Sequence, residues 1–261
     1  MTSRARLVLA AGSPARLAEA YAETPQRWTP GPAETGWRTV YHQLLGDGCF
    51  PADRLLTSVT VSGGARAVVR AVAATPLRAG AASVAAARLR VRAGSALVYV
   101  PGALIPHAGA RHLSGLDARV EPGGCLAVVQ AWAPGRVAHE QGRFDHLRTR
   151  TRLAVGSSLL LWEDVTIRAS DWPAGDPVAV TIYAIGEWAP ACPGWWKSAL
   201  EPLPYAAANP LGSGAIVRAL FPSLGAAAAF VEGSVEAMRK SLDMKICSSP
   251  GKLPETLPKA D

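Results

Sequence analysis

The side chains of this chain best suited to chemistry cluster in one short segment, HEQGRFDH. There His139, Glu140, Asp145 and His146 place two imidazoles and two carboxylates within eight positions. Such a set can hold a borderline divalent metal such as nickel or zinc. The segment begins like the helix-borne H-E-x-x-H of zinc proteases, but position 143 is Arg. The second imidazole is missing, so that metal pair cannot form. Residues of these types in a polar loop also serve as plain surface, and both readings stay open. His107 and His112 flank Ala-Gly-Ala-Arg in a glycine-containing loop and read as surface positions. Asp53 stands alone between Phe50-Pro51 and the apolar run from Leu55, where an Asp commonly supports a turn. There is no Walker A loop, no G-x-G-x-x-G opening a helix and no G-x-S-x-G. The expectation is a chain that is not an enzyme and binds no cofactor tightly.

Cys49, Cys125, Cys192 and Cys247 stand far apart, without a C-x-x-C pair. This argues against a disulfide framework or structural zinc, and for a reducing, cytoplasmic setting. The N-terminal apolar stretch is too short for a secretion signal, and no run of about 18 apolar residues occurs that could span a membrane. Of the 261 residues 49 % are apolar and only 18 % charged, which suits a well-buried chain or one with a large partner surface. The formal charge is +7, and every lysine lies at or after Lys197, so Arg carries the positive charge before that point. The arginines reflect either coding bias or a face for an acidic partner, since the guanidinium fork suits carboxylates and phosphates.

The elements that must position these residues announce themselves by repetition. Val61 opens VSGGARAVVRAVAATP, Val91 opens VRAGSALVYVPGALIP, and Val120 opens VEPGGCLAVVQAWAPG. Each is a valine, two residues, a glycine, a small residue and an apolar run ending at Pro or Gly, with offsets of 30 and 29 residues. A fixed period of this kind marks stacked units that cannot bury their apolar faces alone. The runs are short, rich in Val and Leu and bounded by Gly and Pro, so they read as strands. VAAARLRVR (84–92) alternates Arg88, Arg90 and Arg92 with Leu89 and Val91, and LRTRTRLAV (147–155) puts Arg148, Arg150 and Arg152 on one face.

The fold expected is therefore mainly β, a β-helix or solenoid-like stack of strands with a small C-terminal helical region. Residues 1–50 read as an irregular N-terminal segment, 51–190 as the solenoid-like body, 191–246 as a connection with C-terminal helices, and 247–261 as a mobile tail. Within the third part, AIVRALF (215–221) reads as a short helix. Residues 225–244 read as the best helix of the chain, with Ser223 as its cap and Phe230, Val231, Val235, Met238 and Leu242 on one face.

The order of these pieces resembles the urease accessory protein family UreD, also called UreH. The resemblance rests on Leu44-Leu45 and Asp53-Arg54-Leu55, then GGARAVVRAVAATPL, then GSALVYVPGALIPHAGAR (94–111). PGGCLAVVQAWAPGR, HEQGRFDHLRTRTRL and SLLLWEDVTI follow, and GAIVRALF and AMRKSL supply the late Arg218 and Arg239. The register holds over roughly residues 40–245. The family's Gly- and Pro-rich entry is reduced here to GDGCFPAD, and Thr75-Pro76-Leu77-Arg78 stands where the family carries a Lys and a Tyr.

The resemblance implies a non-enzymatic scaffold that binds apo-urease and the accessory protein UreF. UreF in turn recruits the GTPase UreG, and nickel, as transported cargo, then reaches the urease active site, with an internal passage through UreD proposed for the metal. On this reading the C-terminal helical region is the UreF-binding element, with Arg218, Phe221, Phe230 and Arg239 at its surface. Two other classes compete. A β-helix carbohydrate-active enzyme needs clustered carboxylates, and here the acidic residues between Leu55 and Ile185 are scattered. A basic nucleic-acid-binding module needs aromatics among its arginines, and the Arg rows lack them. No nucleic-acid or membrane partner is expected.

Overall fold

A computed structural model describes residues 1–12, 14–135, 143–175, 177–186 and 193–248, the side chains of 193–195 and 244–248 excepted. The chain opens with two antiparallel pairs, β1 (Thr2–Ala10) with β2 (Arg16–Ala22) and β3 (Gln26–Glu34) with β4 (Trp37–Leu44). It then shuttles between two sheets through β5 (Arg54–Val61), β6 (Arg66–Ala71), the short β7 (Thr75–Leu77), β8 (Ser83–Val91) and β9 (Ala96–Val100). The short β10 (Ala103–Pro106), β11 (Arg111–Val120) and β12 (Cys125–Trp132) continue the series. A hairpin of β13 (His146–Val155) and β14 (Ser158–Arg168) is followed by β15 (Val178–Ile185) and helix α1 (Pro193–Leu200). A last hairpin, β16 (Ala206–Leu211) and β17 (Gly214–Phe221), leads into helix α2 (Leu224–Ser248).

The first sheet runs β14-β13-β11-β8-β5-β1-β2 and the second β16-β17-β15-β12-β9-β6-β4-β3. Through the middle both are parallel: β1, β5, β8, β11 and β13 in one, β4, β6, β9 and β12 in the other. This is the solenoid-like stack that the repeat implies. Val61 pairs with Val91, Val91 with Val120, and the ladder extends to Leu9 on one side and Val155 on the other. The glycine three residues after each repeat valine is needed by the turn. Gly64, Gly94 and Gly123 have φ of +76°, +69° and +78°, the left-handed region that L side chains avoid.

The two sheets bury themselves differently, and the residue patterns say why. In the first sheet, strands alternate: Leu7, Leu9, Val59, Val61, Leu89 and Val91 point into the space between the sheets while arginines face outward. Strands of the second sheet read as continuous apolar runs, such as ALVYV and CLAVV, because they are covered on both faces. Their inner side joins the core between the sheets, and their outer side packs on α1 and α2. Helix α2 is capped as expected, the Ala226 N–H donating to Ser223 Oγ at 3.2 Å. Its Phe230, Val231, Val235 and Met238 are buried against the second sheet. No helix among the described residues is long and apolar enough to cross a membrane.

Three expectations fail. Residues 1–50 are not irregular but form four strands. The inward positions of β1 begin with Ser3 and Ala5, and β3 carries Pro30 and Pro32, which an edge strand tolerates. AIVRALF is strand β17, not a helix: it pairs with β15 and β16 and buries Val217, Ala219 and Phe221 around the exposed Arg218, a run too short for its period to separate strand from helix. The connection after Trp188 contains α1 and β16. Residues 249–261, most of the expected mobile tail, lie outside the described residues.

Leu89, fully buried between the sheets, is the sharpest probe of the stack. Leu89→Ala should lower unfolding stability by about 2–5 kcal/mol, whereas Arg88→Ala one position away should cost under about 1 kcal/mol. Urea denaturation of the two variants checks this.

Candidate functional site

A cavity of about 320 Å³ lies between the two sheets, beneath the loop around Gly46 and Gly48. Gly48 (φ +104°) lets this loop close down on β7, since a Cβ there would sit 2.2 Å from the Pro76 carbonyl oxygen. That approach brings the Cys49 N–H to Pro76 O at 2.8 Å and buries the Cys49 side chain. Opposite stand Ser83, the first residue of β8, and His112, the second of β11, which are register partners. Ser83 Oγ lies 2.8 Å from His112 Nδ1 and close enough to the Cys49 thiol to act on it. With its proton on Nδ1, the imidazole donates to Ser83, whose hydroxyl reaches the Arg111 carbonyl at 3.4 Å. His112 Nε2 is then a bare lone pair, buried and without a hydrogen-bond partner. Trp132 stands edge-on to the ring at 6.4 Å.

On the N-terminal side the same cavity meets a closed polar network. Gln26 Nε2 donates to Ser3 O and Oγ, both at 3.0 Å. Its Oε1 accepts from Thr57 Oγ1 at 2.9 Å and from His42 Nε2–H at 3.1 Å. His42 packs on Trp28, ring centroids 4.4 Å apart. Burial pushes both His42 and His112 down to about 4. Burial also raises the Cys49 thiol, against a smaller opposing pull from the Ser83 hydroxyl, and raises the Tyr99 hydroxyl. The cavity is therefore lined by neutral groups: imidazoles, a protonated thiol, amides and hydroxyls. Three His, Cys, Asp or Glu side chains that together could hold a metal ion are not found among the described residues.

The surface reading of His112 is thus overturned: it is 1 % exposed. A signal was present, because counting back by twos from Val120 along β11 puts His112 on the inward face. The same count from Val91 puts Ser83 there. Of the proposed metal residues, Asp145 is paired with Arg111 at 2.6 Å, and His146 opens β13. His139 and Glu140 lie outside the described residues. Asp53 serves the turn before β5, its Oδ2 accepting the Phe50 N–H at 3.0 Å.

The proposed partner residues divide. Phe221 and Phe230 are buried against each other, centroids 5.0 Å apart, and offer no surface. Arg239 lies over the Trp37 ring at 5.9 Å and near Glu34 and Glu236, so it fastens α2 to the β3–β4 turn. Arg70–Glu232 and Arg66–Asp243 fasten the same helix along β6. Arg218 stays half-exposed on β17, where it pairs with Glu163, itself bonded by the Tyr183 hydroxyl at 2.9 Å. Burial, with Glu163 beside it, pushes Tyr183 up to about 12.

The sequence matches the family described as UreD urease accessory protein over residues 1–250. The chain belongs to the UreD family. A urease accessory protein UreD of Natronomonas pharaonis is 30 % identical over 177 residues, 65 % of this chain and 59 % of that protein. One of Sorangium cellulosum is 26 % identical over 212 residues, 75 % of this chain and 67 % of that protein. A UreD 2 of a Synechococcus strain is 25 % identical over 228 residues, 70 % of this chain and 82 % of its own length. The family match takes in the N-terminal strands as well as the body.

The two buried imidazoles make this UreD-family chain sensitive to acid. A histidine whose folded value is depressed binds fewer protons folded than unfolded. Its contribution is intact above the ordinary 6.5 and is lost as pH falls toward about 4. The urea-unfolding midpoint should therefore drop across that window, and less steeply in His112→Asn. Parallel profiles would show that His112 titrates at its ordinary value in the folded chain.

Proposed function

We propose that this chain is a urease maturation factor. It binds apo-urease and UreF, through which the GTPase UreG joins, and it lets nickel reach the urease active site. The ion is cargo, not a resident cofactor, and the setting is the cytoplasm. The observation that carries the reading is the cavity between the sheets. It is lined by a buried imidazole whose Nε2 has no hydrogen-bond partner, a donor that suits a borderline metal ion, and by the Cys49 thiol, which would have to lose its proton to join it. One ready donor cannot close a coordination shell, which favours release over retention, as transport requires. Family membership over residues 1–250 supports the urease context.

Urease subunits co-produced with UreF and UreG test this, with and without the chain. Urease activity and nickel per urease should both depend on its presence, the chain should co-purify with UreF and apo-urease, and the isolated chain should not hydrolyse urea. Equal nickel loading without it would remove the reading.

A further inference from the structure

We propose that the outward face of the seven-stranded sheet is a docking site for an extended acidic segment of a protein partner, lying across β5, β8 and β11. No helix among the described residues covers this face, since α1 and α2 pack on the other sheet. Register fixes what it displays. One row across the strands reads Arg4, Leu56, Ala86, Gly115, Arg150. The next reads Arg6, Ser58, Arg88, Asp117, Arg152. The first row is a smooth floor between two guanidiniums, and the second is a line of arginines beside it. Together they shape a trough of about 640 Å³. Arg4 and Arg150 stand four strand spacings apart, about 19 Å, the reach of roughly six extended residues.

The charge on this face is incompletely answered from within. Asp117 alone serves Arg88, Arg90 and Arg152, at 3.8, 3.0 and 3.2 Å. Asp164 alone serves Arg148 and Arg150, at 2.6 and 2.9 Å. Arg4 makes no ion pair among the described residues. A guanidinium has five N–H donors, so carboxylates shared in this way leave several unused and aimed at solvent. Bidentate carboxylates are the ligands these forks fit.

The floor adds a shape argument. Gly115 interrupts β11 without a left-handed φ, and a Cβ there would meet Ala86 Cβ at 3.4 Å, an ordinary contact. The fold does not demand glycine at this position, and glycine weakens a strand unless something must approach closely. The aliphatic floor also argues for protein over nucleic acid. The exposed aromatics, Tyr21 and Trp162, stand on the outermost strands β2 and β14. Both stand at the ends of the trough, and the floor between them carries no aromatic side chain on which successive bases could stack. The inference is independent of the nickel reading.

The test is fluorescence anisotropy of the full chain with a labelled peptide of alternating Glu and Thr. An equal-length Gln–Thr peptide and an oligothymidylate serve as comparators. The Glu peptide should bind tightest, lose affinity with added salt, and weaken about tenfold or more in both Gly115→Val and the Arg4→Ser/Arg88→Ser double variant. Gly115→Val fills the floor and keeps every charge; the double variant removes charge from exposed positions and keeps the floor. If Gly115→Val lowers the melting temperature, the double variant alone decides. Equal binding of the Glu and Gln peptides, an undiminished affinity in the folded variants, or tighter binding of the oligothymidylate would overturn the proposal.

Discussion

Everything in this molecule hangs on one register, held by backbone hydrogen bonds between parallel layers about thirty residues apart in sequence. The ladder Leu9–Val61–Val91–Val120–Val155 fixes it at one end of the strands. The same pairing, carried back along β8 and β11, sets Ser83 beside His112 at the other end. A slip of one residue in any layer would turn its inward side chains to solvent and its arginines into the core. The cavity and the arginine face are therefore two consequences of one constraint, displayed on opposite sides of the first sheet.

The sheets divide the work. The second is covered on both sides, and α2 is held to it both by its apolar face and by ion pairs along its flank. A helix so fastened contributes to the core, and its phenylalanines are not free to meet a partner. The first sheet keeps a whole face open, with arginines where the second sheet has valines and alanines. Partner contacts through strands thus fit the structure better than contacts through Phe221 and Phe230. Arg218, half-exposed on β17, remains available to either arrangement.

How much of this could be read in advance depends on how loudly each strand signals. Val61, Val91 and Val120 were legible because a left-handed turn requires a glycine three residues later, so chemistry and spacing repeat together. Ser223 was legible as a cap because a short hydroxyl before an alanine-rich run has few other uses. The strand β1 was not legible, since its buried positions begin with Ser3 and Ala5 and the alternation is faint. AIVRALF reads equally as helix because only Val217, Arg218, Ala219, Leu220 and Phe221 alternate, too few residues for the period to decide. His112 reads as a loop residue because Gly109 stands three positions before it, although its phase relative to Val120 puts it inside. Residues paired through tertiary contact, such as Gln26 with Thr57 and His42, leave no local trace at all.

On the proposed reading, the buried imidazole of the cavity serves the passage of nickel while the outside of the chain serves its partners. His112→Phe separates the two, because it removes the free Nε2 and fills the cavity without touching the surface. The decisive measurement is nickel per urease, by elemental analysis, in complexes assembled with this variant and purified with UreF still bound. The account predicts normal assembly with a sharply reduced nickel content. Normal assembly with unchanged nickel content would contradict it.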